Sequence, residues 1–409
     1  MVAPEFPPRV GGMEAIAGKT AEFLAGEGHT VCVLTAAGTS VPPRYAGFSV
    51  EGVLTRDFSD GLRKIHAAVR RLGSDVIVAM NAGFAPVTTS SSRSLPPVVV
   101  FTAGNDVYGA WHGPRLPLRF LFWRLPHGRP GSLGARLRRY DQQRRVSLIL
   151  RGLARCERIV CNSAYTRARL HELGVPYDRL HVLVGGVDVK LFSPLPGEGA
   201  SQRSPGAPPV LGTGGHLKPI KGFDIALRML PLLSGAATGA LLKIAGTGPE
   251  EPRLRALASN LGLADRVEFL GQVTSDAMPD FYRSLDLYLQ PSVEIRHQET
   301  GMIQAESMGL SLCEAQSCGI PVIASRCGGI PEVVADGVCG RLVPPGDSQG
   351  LADAVMGCLA SSAGLSRMRE AGRRAAVERF SWGAVGRSTV RHLEEARARM
   401  PELASHNRL

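Results

Sequence analysis

The chain has 409 residues, of which 44% are hydrophobic and 20% charged, enough apolar mass for buried cores and too little charge for a disordered chain. Single cores stop growing at roughly 250–300 residues, so two domains are expected. No apolar run reaches the ~18 residues of a membrane span, and Met1–Arg9 lacks the apolar centre of a signal peptide.

Short β-branched runs alternate with longer helical stretches from end to end. In the first half the expected strands are Thr30–Thr35, Asp75–Ala79, Val98–Thr102, Arg158–Cys161 and His181–Val184. Met1-Val2-Ala3-Pro4 reads as only the last residues of an earlier, clipped strand, followed at once by the turn Pro7–Gly12. In the second half the expected strands are Val210–Thr213, Leu241–Ala245, Val267–Leu270, Leu287–Leu289 and Val322–Ala324. Near-continuous apolar strands between amphipathic helices predict parallel sheets covered on both faces. Ser193–Pro209 (SPLPGEGASQRSPGAPP) is a linker by composition. The expected organisation is α/β, with two doubly wound, Rossmann-like domains facing each other across a cleft. The boundaries read as 1–192, a linker at 193–209, a second domain at 210–382, and a C-terminal helix at 383–409 that could cross back to the first domain.

Net charge is +11 and local. Residues 111–170 hold 14 Arg, no Lys and two acids, Asp141 and Glu157, so the rest of the chain is nearly neutral. These arginines are either solvated helix faces or a surface for anionic partners. Trp111, Phe120, Phe122 and Trp123 among them favour a lipid interface over nucleic acid. The eight cysteines form no CxxC pair and no zinc spacing, and read as reduced packing thiols of a cytoplasmic protein.

Three stretches could carry chemistry. Gly11-Gly12 lies between a strand end and a helix, where backbone N–H groups can approach a ligand, although an ordinary turn has the same pattern. Lys218 and Lys221 follow the glycine-rich turn Gly212–His216, in a chain with only six lysines against 41 arginines. Lys221-Gly222 ahead of a helix expected at Phe223–Leu233 suits a diphosphate. In the third stretch, Gln304–Ala324, Gly309 marks a helix start. Glu306 then stands in the loop above it and Glu314 about one turn inside. Phosphates suit the exposed N–H groups of such a start, and a carboxylate on each side can accept from sugar hydroxyls. Glu314 among Leu312, Cys313 and Ala315 requires a partner.

These residues resemble the retaining glycosyltransferases of family 4, which have the GT-B fold. The pattern Glu306-x7-Glu314 and Cys318-Gly319-Ile320-Pro321-Val322-Ile323 carry the resemblance. Gly11-Gly12, Gly104-Asn105-Asp106, Gly186-Val187-Asp188, Lys221-Gly222, Gly246–Pro249 and Gly328–Glu332 occur in matching order. The resemblance implies a nucleotide-diphosphate-sugar donor held mostly by the second domain, and no cofactor or metal. It places Lys221 and the N–H groups of Gly309-Leu310 at the leaving diphosphate, Glu306 at the donor sugar, Glu314 at the ribose, and Gly11-Gly12 over the phosphates.

The chain departs from the family pattern at three places. His216 replaces the usual Arg as a second phosphate cation. Ala103 replaces a histidine near the sugar, so that either Asn105 or a nearby hydroxyl such as Thr102 compensates or donor recognition differs; Asn105 and Asp106 are candidates on the sugar or acceptor side. An insert between Pro291-Ser292 and Glu306 brings Glu294 and Arg296 beside the donor pocket. The expected function is a metal-independent retaining hexosyltransferase acting on an envelope glycolipid or a natural-product aglycone, with residues 111–150 in peripheral contact with an anionic membrane. A nucleotide-sugar epimerase or sugar phosphorylase on the same fold is the enzymatic alternative, and an anion- or nucleic-acid-binding protein the non-enzymatic one.

Overall fold

The computed structural model describes residues 1–398 other than 4–5, 8–11, 37–46, 55–57, 87–94, 109–132, 196–206 and 297–302. The chain divides into two compact units. The first holds Met1–Leu183 and the C-terminal stretch from Gly383, and the second Val184–Arg296 and Ile303–Trp382. The second unit begins ahead of the boundary read from composition at 192. The reason is burial: Val187 and Phe192 pack with Tyr282, Cys318 and Phe380 in a core of that unit.

In the first unit, helix α1 (Gly12–Gly26) leads to β1 (Cys32–Ala36), β2 (Ser49–Leu54), α2 (Phe58–Leu72), β3 (Ile77–Ala79) and β4 (Val98–Thr102). Then follow α3 (Asn105–Tyr108), α4 (Leu133–Leu153), β5 (Arg158–Cys161), α5 (Ala164–Glu172) and β6 (Leu180–Val182). Strands β3-β4-β5-β6 form one parallel ladder and β1-β2 another. Val2 bridges the two, pairing in parallel with both Leu34 and Ala79. Met1–Ala3 thus supplies a central rung between them, with Val2 N–H on Val78 O at 2.7 Å and Ala3 N–H on Leu34 O at 2.9 Å. Side chains alternate as strand geometry requires. Val98, Val100, Ile159 and Cys161 enter one core, while Val99, Phe101 and Val160 enter the other.

The second unit is a six-stranded parallel sheet of order β14-β13-β10-β7-β8-β9. Its strands are β7 (Val210–Gly214), β8 (Leu241–Ala245), β9 (Val267–Gly271), β10 (Leu287–Gln290), β13 (Val322–Ser325) and β14 (Gly340–Val343). Its helices are α6 (Phe223–Met229), α7 (Glu251–Asn260), α8 (Met278–Arg283), α9 (Leu310–Ser317), α10 (Ser348–Leu359) and α11 (Ser362–Ala375). The helix expected at Phe223–Leu233 stops four residues early, because Pro231 turns its end into a 3-10 segment at Leu230–Leu232. Leu287 and Leu289 pack on one face of β10 and Tyr288 on the other, so helices cover both faces. Strand order reverses beside β7: the chain builds outward through β8 and β9, then returns to β10. The carboxyl ends of β7 and β10 therefore bound the crevice where ligands bind in open α/β sheets.

The insert forms a short antiparallel hairpin of β11 (Ile295–Arg296) and β12 (Ile303–Gln304). The last helix, α12 (Trp382–Ala398), packs on the first unit. Ala396 lies in a core of that unit, and the Cα of Gly386 leaves no room for a side chain beside the Phe23 ring.

Candidate active site in the second unit

Two loops at the carboxyl ends of β7 and β10 meet at an ion pair. Lys221 Nζ lies 2.6 Å from Glu306 Oε2, with both side chains mostly buried. Lys221 reaches there from a 3-10 turn, Pro219–Lys221. Its stem runs past the turn after β7, where a side chain at Gly215 would stand 3.6 Å from Lys221 Cε. That turn is itself fixed, with Gly215 N–H on Ala245 O at 2.9 Å and Leu217 N–H on Thr247 O at 3.0 Å.

Two glycines make this geometry possible. Gly222 has φ 66°, and a Cβ there would drive into the carbonyl of Pro291. Gly328 has φ 54°, and a Cβ there would meet the carbonyl of Glu306. Only glycine takes such a conformation at so close a backbone approach without strain. Gly329 N–H then donates to Glu306 O at 2.9 Å, so Glu306 is held from behind by main chain.

Helix α9 starts directly after Glu306, with Gly309 as its cap. Its first turn is closed by Leu312 N–H on Gly309 O at 3.0 Å, and the first N–H groups of a helix, here Leu310 and Ser311, are the ones that favour an anion. Glu314 sits one turn in, partly buried, and accepts from Tyr282 Oη at 2.8 Å. Burial pushes the Glu314 carboxyl up to about 7, against the pull of the Tyr282 hydrogen bond and the Lys221 charge. Two further contacts tie the strand ends to the helix start. Tyr288 Oη donates to Gly214 O at 3.3 Å, and Ser311 Oγ donates to Gln290 Oε1 at 2.7 Å.

The structure thus brings Lys221, Glu306, Gly309, Leu310 and Glu314 together. His216 is exposed on the same turn as Gly215. Glu294 and Arg296 are exposed at the start of the hairpin, and Val293 N–H on Ile220 O at 2.9 Å anchors that hairpin to the Lys221 turn. The first-unit candidates fall differently. Gly11 lies outside the described residues, Gly12 opens α1, and Asn105 opens α3. Asp106 does not stand free for a substrate. Its Oδ1 accepts from Thr102 Oγ1 at 2.6 Å and its Oδ2 from Ala82 N–H at 2.8 Å. Both carboxylate oxygens are therefore engaged in bracing the loops after β3 and β4. Thr102 is committed by the same bond. Of the arginine-rich 111–150 stretch, 109–132 lies outside the described residues and α4 begins at Leu133.

Sequence reasoning missed Tyr282. Its signal was the demand that a buried Glu314 have a partner, but nothing in the spacing points to a residue 32 positions earlier. Among the described residues, no three His, Cys, Asp or Glu side chains are grouped to hold a metal ion, and no helix is long and apolar enough to cross a membrane. All eight cysteines are free and seven are buried, as packing thiols would be.

Comparison with known proteins identifies the family of the chain. The family Glycosyltransferase Family 4 matches residues 10–191, and Glycosyl transferases group 1 matches residues 198–375. A GDP-mannose-dependent alpha-(1-6)-phosphatidylinositol monomannoside mannosyltransferase of Mycobacterium tuberculosis is 29% identical over 391 residues, covering 93% of this chain and 94% of that protein. The enzyme of the same description from Mycolicibacterium smegmatis is 33% identical over 249 residues, which span 60% of this chain and 61% of that protein's length. Among solved structures, Anabaena HepE in complex with UDP superposes with a TM-score of 0.74 at 20% identity, over 96% of this chain and 99% of that one. The Lys221–Glu306 crevice falls inside the second matched region, and the two regions in tandem take in nearly all the described residues: the chain belongs to the GT-B glycosyltransferases of group 1 and family 4.

Proposed function

We propose that this glycosyltransferase moves a hexose from a nucleotide-diphosphate sugar to an acceptor hydroxyl with retention of anomeric configuration, using neither metal nor further cofactor. The observation that carries the reading is the Lys221–Glu306 pair beside the start of α9. Lys221, the N–H groups of Gly309 and Leu310, and His216 at the rim meet the diphosphate, where negative charge grows as the glycosidic bond breaks. Glu306, released from Lys221 by the phosphate, accepts from donor-sugar hydroxyls. Glu314 accepts from the ribose. The acceptor oxygen attacks from the face the diphosphate leaves, and a phosphate oxygen takes its proton. The protein's contribution is then positioning and preorganised charge. Glu294 and Arg296 border the incoming acceptor.

GDP-mannose and an inositol-headgroup lipid are the donor and acceptor to test first, because the relative aligned over 94% of its length is named for them. UDP-sugars are the alternative, since UDP is the nucleotide of the Anabaena complex. A lipid acceptor would draw the arginines of 111–150 to an anionic surface, at about 1 kcal/mol per Arg.

The test is a hydrolysis and transfer screen with GDP- and UDP-sugars, with the product anomer read by NMR. Turnover is expected to survive EDTA and to give the anomer of the donor. Lys221→Ala should lower it ~30–1000-fold, equivalent to ~2–4 kcal/mol of barrier. An inverted product, or a Lys221→Ala enzyme within about twofold of wild type, overturns the reading.

A further inference from the structure

One residue near the crevice has no part in the chemistry above and yet touches a group that does. Tyr282, on α8, is fully buried, and its hydroxyl donates to Glu314 Oε2 at 2.8 Å. The ring is clamped on three sides. It meets Tyr288 at 5.3 Å and 73°, Phe192 at 6.0 Å and 62°, and Phe281 at 5.4 Å and 57°. Edge-to-face and tilted contacts of this kind hold a ring in one orientation. The helix that carries it is pinned in turn, with Arg283 Nε donating to Ser193 O at 2.8 Å. Tyr288, the neighbour in the clamp, donates to Gly214 O, in the turn that Lys221 runs past. The phenol is therefore a fixed donor aimed at one oxygen of the Glu314 carboxylate.

We infer that Tyr282 is a positioning residue for the nucleotide: its hydroxyl fixes the Glu314 carboxylate in the rotamer and ionised form that accept both hydroxyls of a vicinal diol. The inference rests on the reading that Glu314 meets the ribose, and it adds what makes Glu314 able to do so. A carboxylate with partial burial loses its charge readily. A protonated carboxyl would offer one acceptor and one donor to a diol that presents two donors. A hydrogen bond from a fixed phenol stabilises the charged form and keeps it as an acceptor. Removing the hydroxyl should leave the ring packing intact while raising the pH at which Glu314 becomes useful.

The experiment titrates GDP, UDP and their 2′-deoxy forms into wild type and Tyr282→Phe from pH 6 to 9. Wild type should bind a ribonucleotide more tightly than its deoxy form, with an advantage that grows as pH rises through about 7 and then levels. In Tyr282→Phe the inflection should move up by about one unit, so that the ribonucleotide binds about fivefold more weakly near pH 7. The advantage should return by pH 9. A purely structural role for Tyr282 predicts equal weakening of both nucleotides at every pH. An unchanged inflection in Tyr282→Phe likewise overturns the inference. If wild type itself does not distinguish ribose from deoxyribose, the ribose reading of Glu314 is what fails. Should the Phe variant not fold, difluorotyrosine placed at 282 gives the same readout with opposite sign, because a more acidic phenol strengthens the bond and lowers the inflection.

Discussion

A carboxyl raised to about 7 by burial weighs on the ligand-free protein at every pH above its ordinary value of 4.5. The sign follows from linkage. Because folding raises the pKa of Glu314, its contribution is fully present below 4.5 and is lost as pH rises through about 7. Glu314→Gln is therefore expected to be more stable than wild type at pH 8, by about 1–2 kcal/mol once partial exposure is allowed for. The difference should vanish near pH 4, while nucleoside diphosphate binding weakens. Urea denaturation at the two pH values checks this, and a Gln variant less stable at pH 8 would contradict it. At this scale the sequence carried part of the answer. Gly309 separates a loop glutamate from a helical one, which local spacing can show. The partners of the two carboxylates cannot be read that way, because Lys221 reaches Glu306 across 85 positions and Tyr282 reaches Glu314 across 32. Such pairings depend on strand order, which no local pattern encodes.

At the scale of elements, the turn Pro219–Gly222 is the piece on which Lys221 depends. Its last residue occupies the left-handed region against the Pro291 carbonyl. Gly222→Ala is expected to destabilise the protein by about 3 kcal/mol or more, through combined strain and backbone collision. It should also lower turnover by displacing Lys221, and chemical denaturation beside an assay at a permissive temperature separates the two effects. A loss below about 0.5 kcal/mol, the range of an ordinary surface change, would mean that the loop is free to move. Strands with mostly apolar runs, such as Val98–Thr102 and Leu241–Ala245, match their expected bounds. The strands not foreseen carry weaker patterns. Gly340–Val343 is short and contains an Arg, and Ser49–Leu54 lies half-exposed at a sheet edge with a Glu and a Gly inside. Their strand character comes from the neighbours they pair with, since propensity is overridden by context in a sheet.

At the scale of the molecule, the first unit is closed by residues from the far end of the chain. Arg158 on β5 is paired with Glu395 on α12, and the rings of His181 on β6 and His392 on α12 stand 5.2 Å apart. Burial, with Arg158 and His181 beside it, lowers His392 to about 4, so the helix docks with this imidazole neutral. The folded pKa lies below the ordinary 6.5, so this contribution is intact above 6.5 and is lost as pH falls toward about 4. Wild type should lose about 2–3 kcal/mol across that window from this group. His392→Phe should flatten the acid limb of the stability curve, as measured by thermal unfolding from pH 7 to 4.5. An unchanged acid limb would place the titrating group elsewhere.

The docking of α12 also sets an order of events during synthesis. Strands β1–β6 leave the ribosome long before the helix that covers them, and the whole of the second unit is made in between. The nascent first unit must wait with Ala17, Ala21 and Phe23 unshielded by Gly386 and Ala396. Units usually fold as they emerge, N-terminal first, and those that expose apolar surface while waiting are prone to misassembly. In this chain the half made first is finished last. Until α12 has been made, the second unit is therefore joined to an incomplete neighbour.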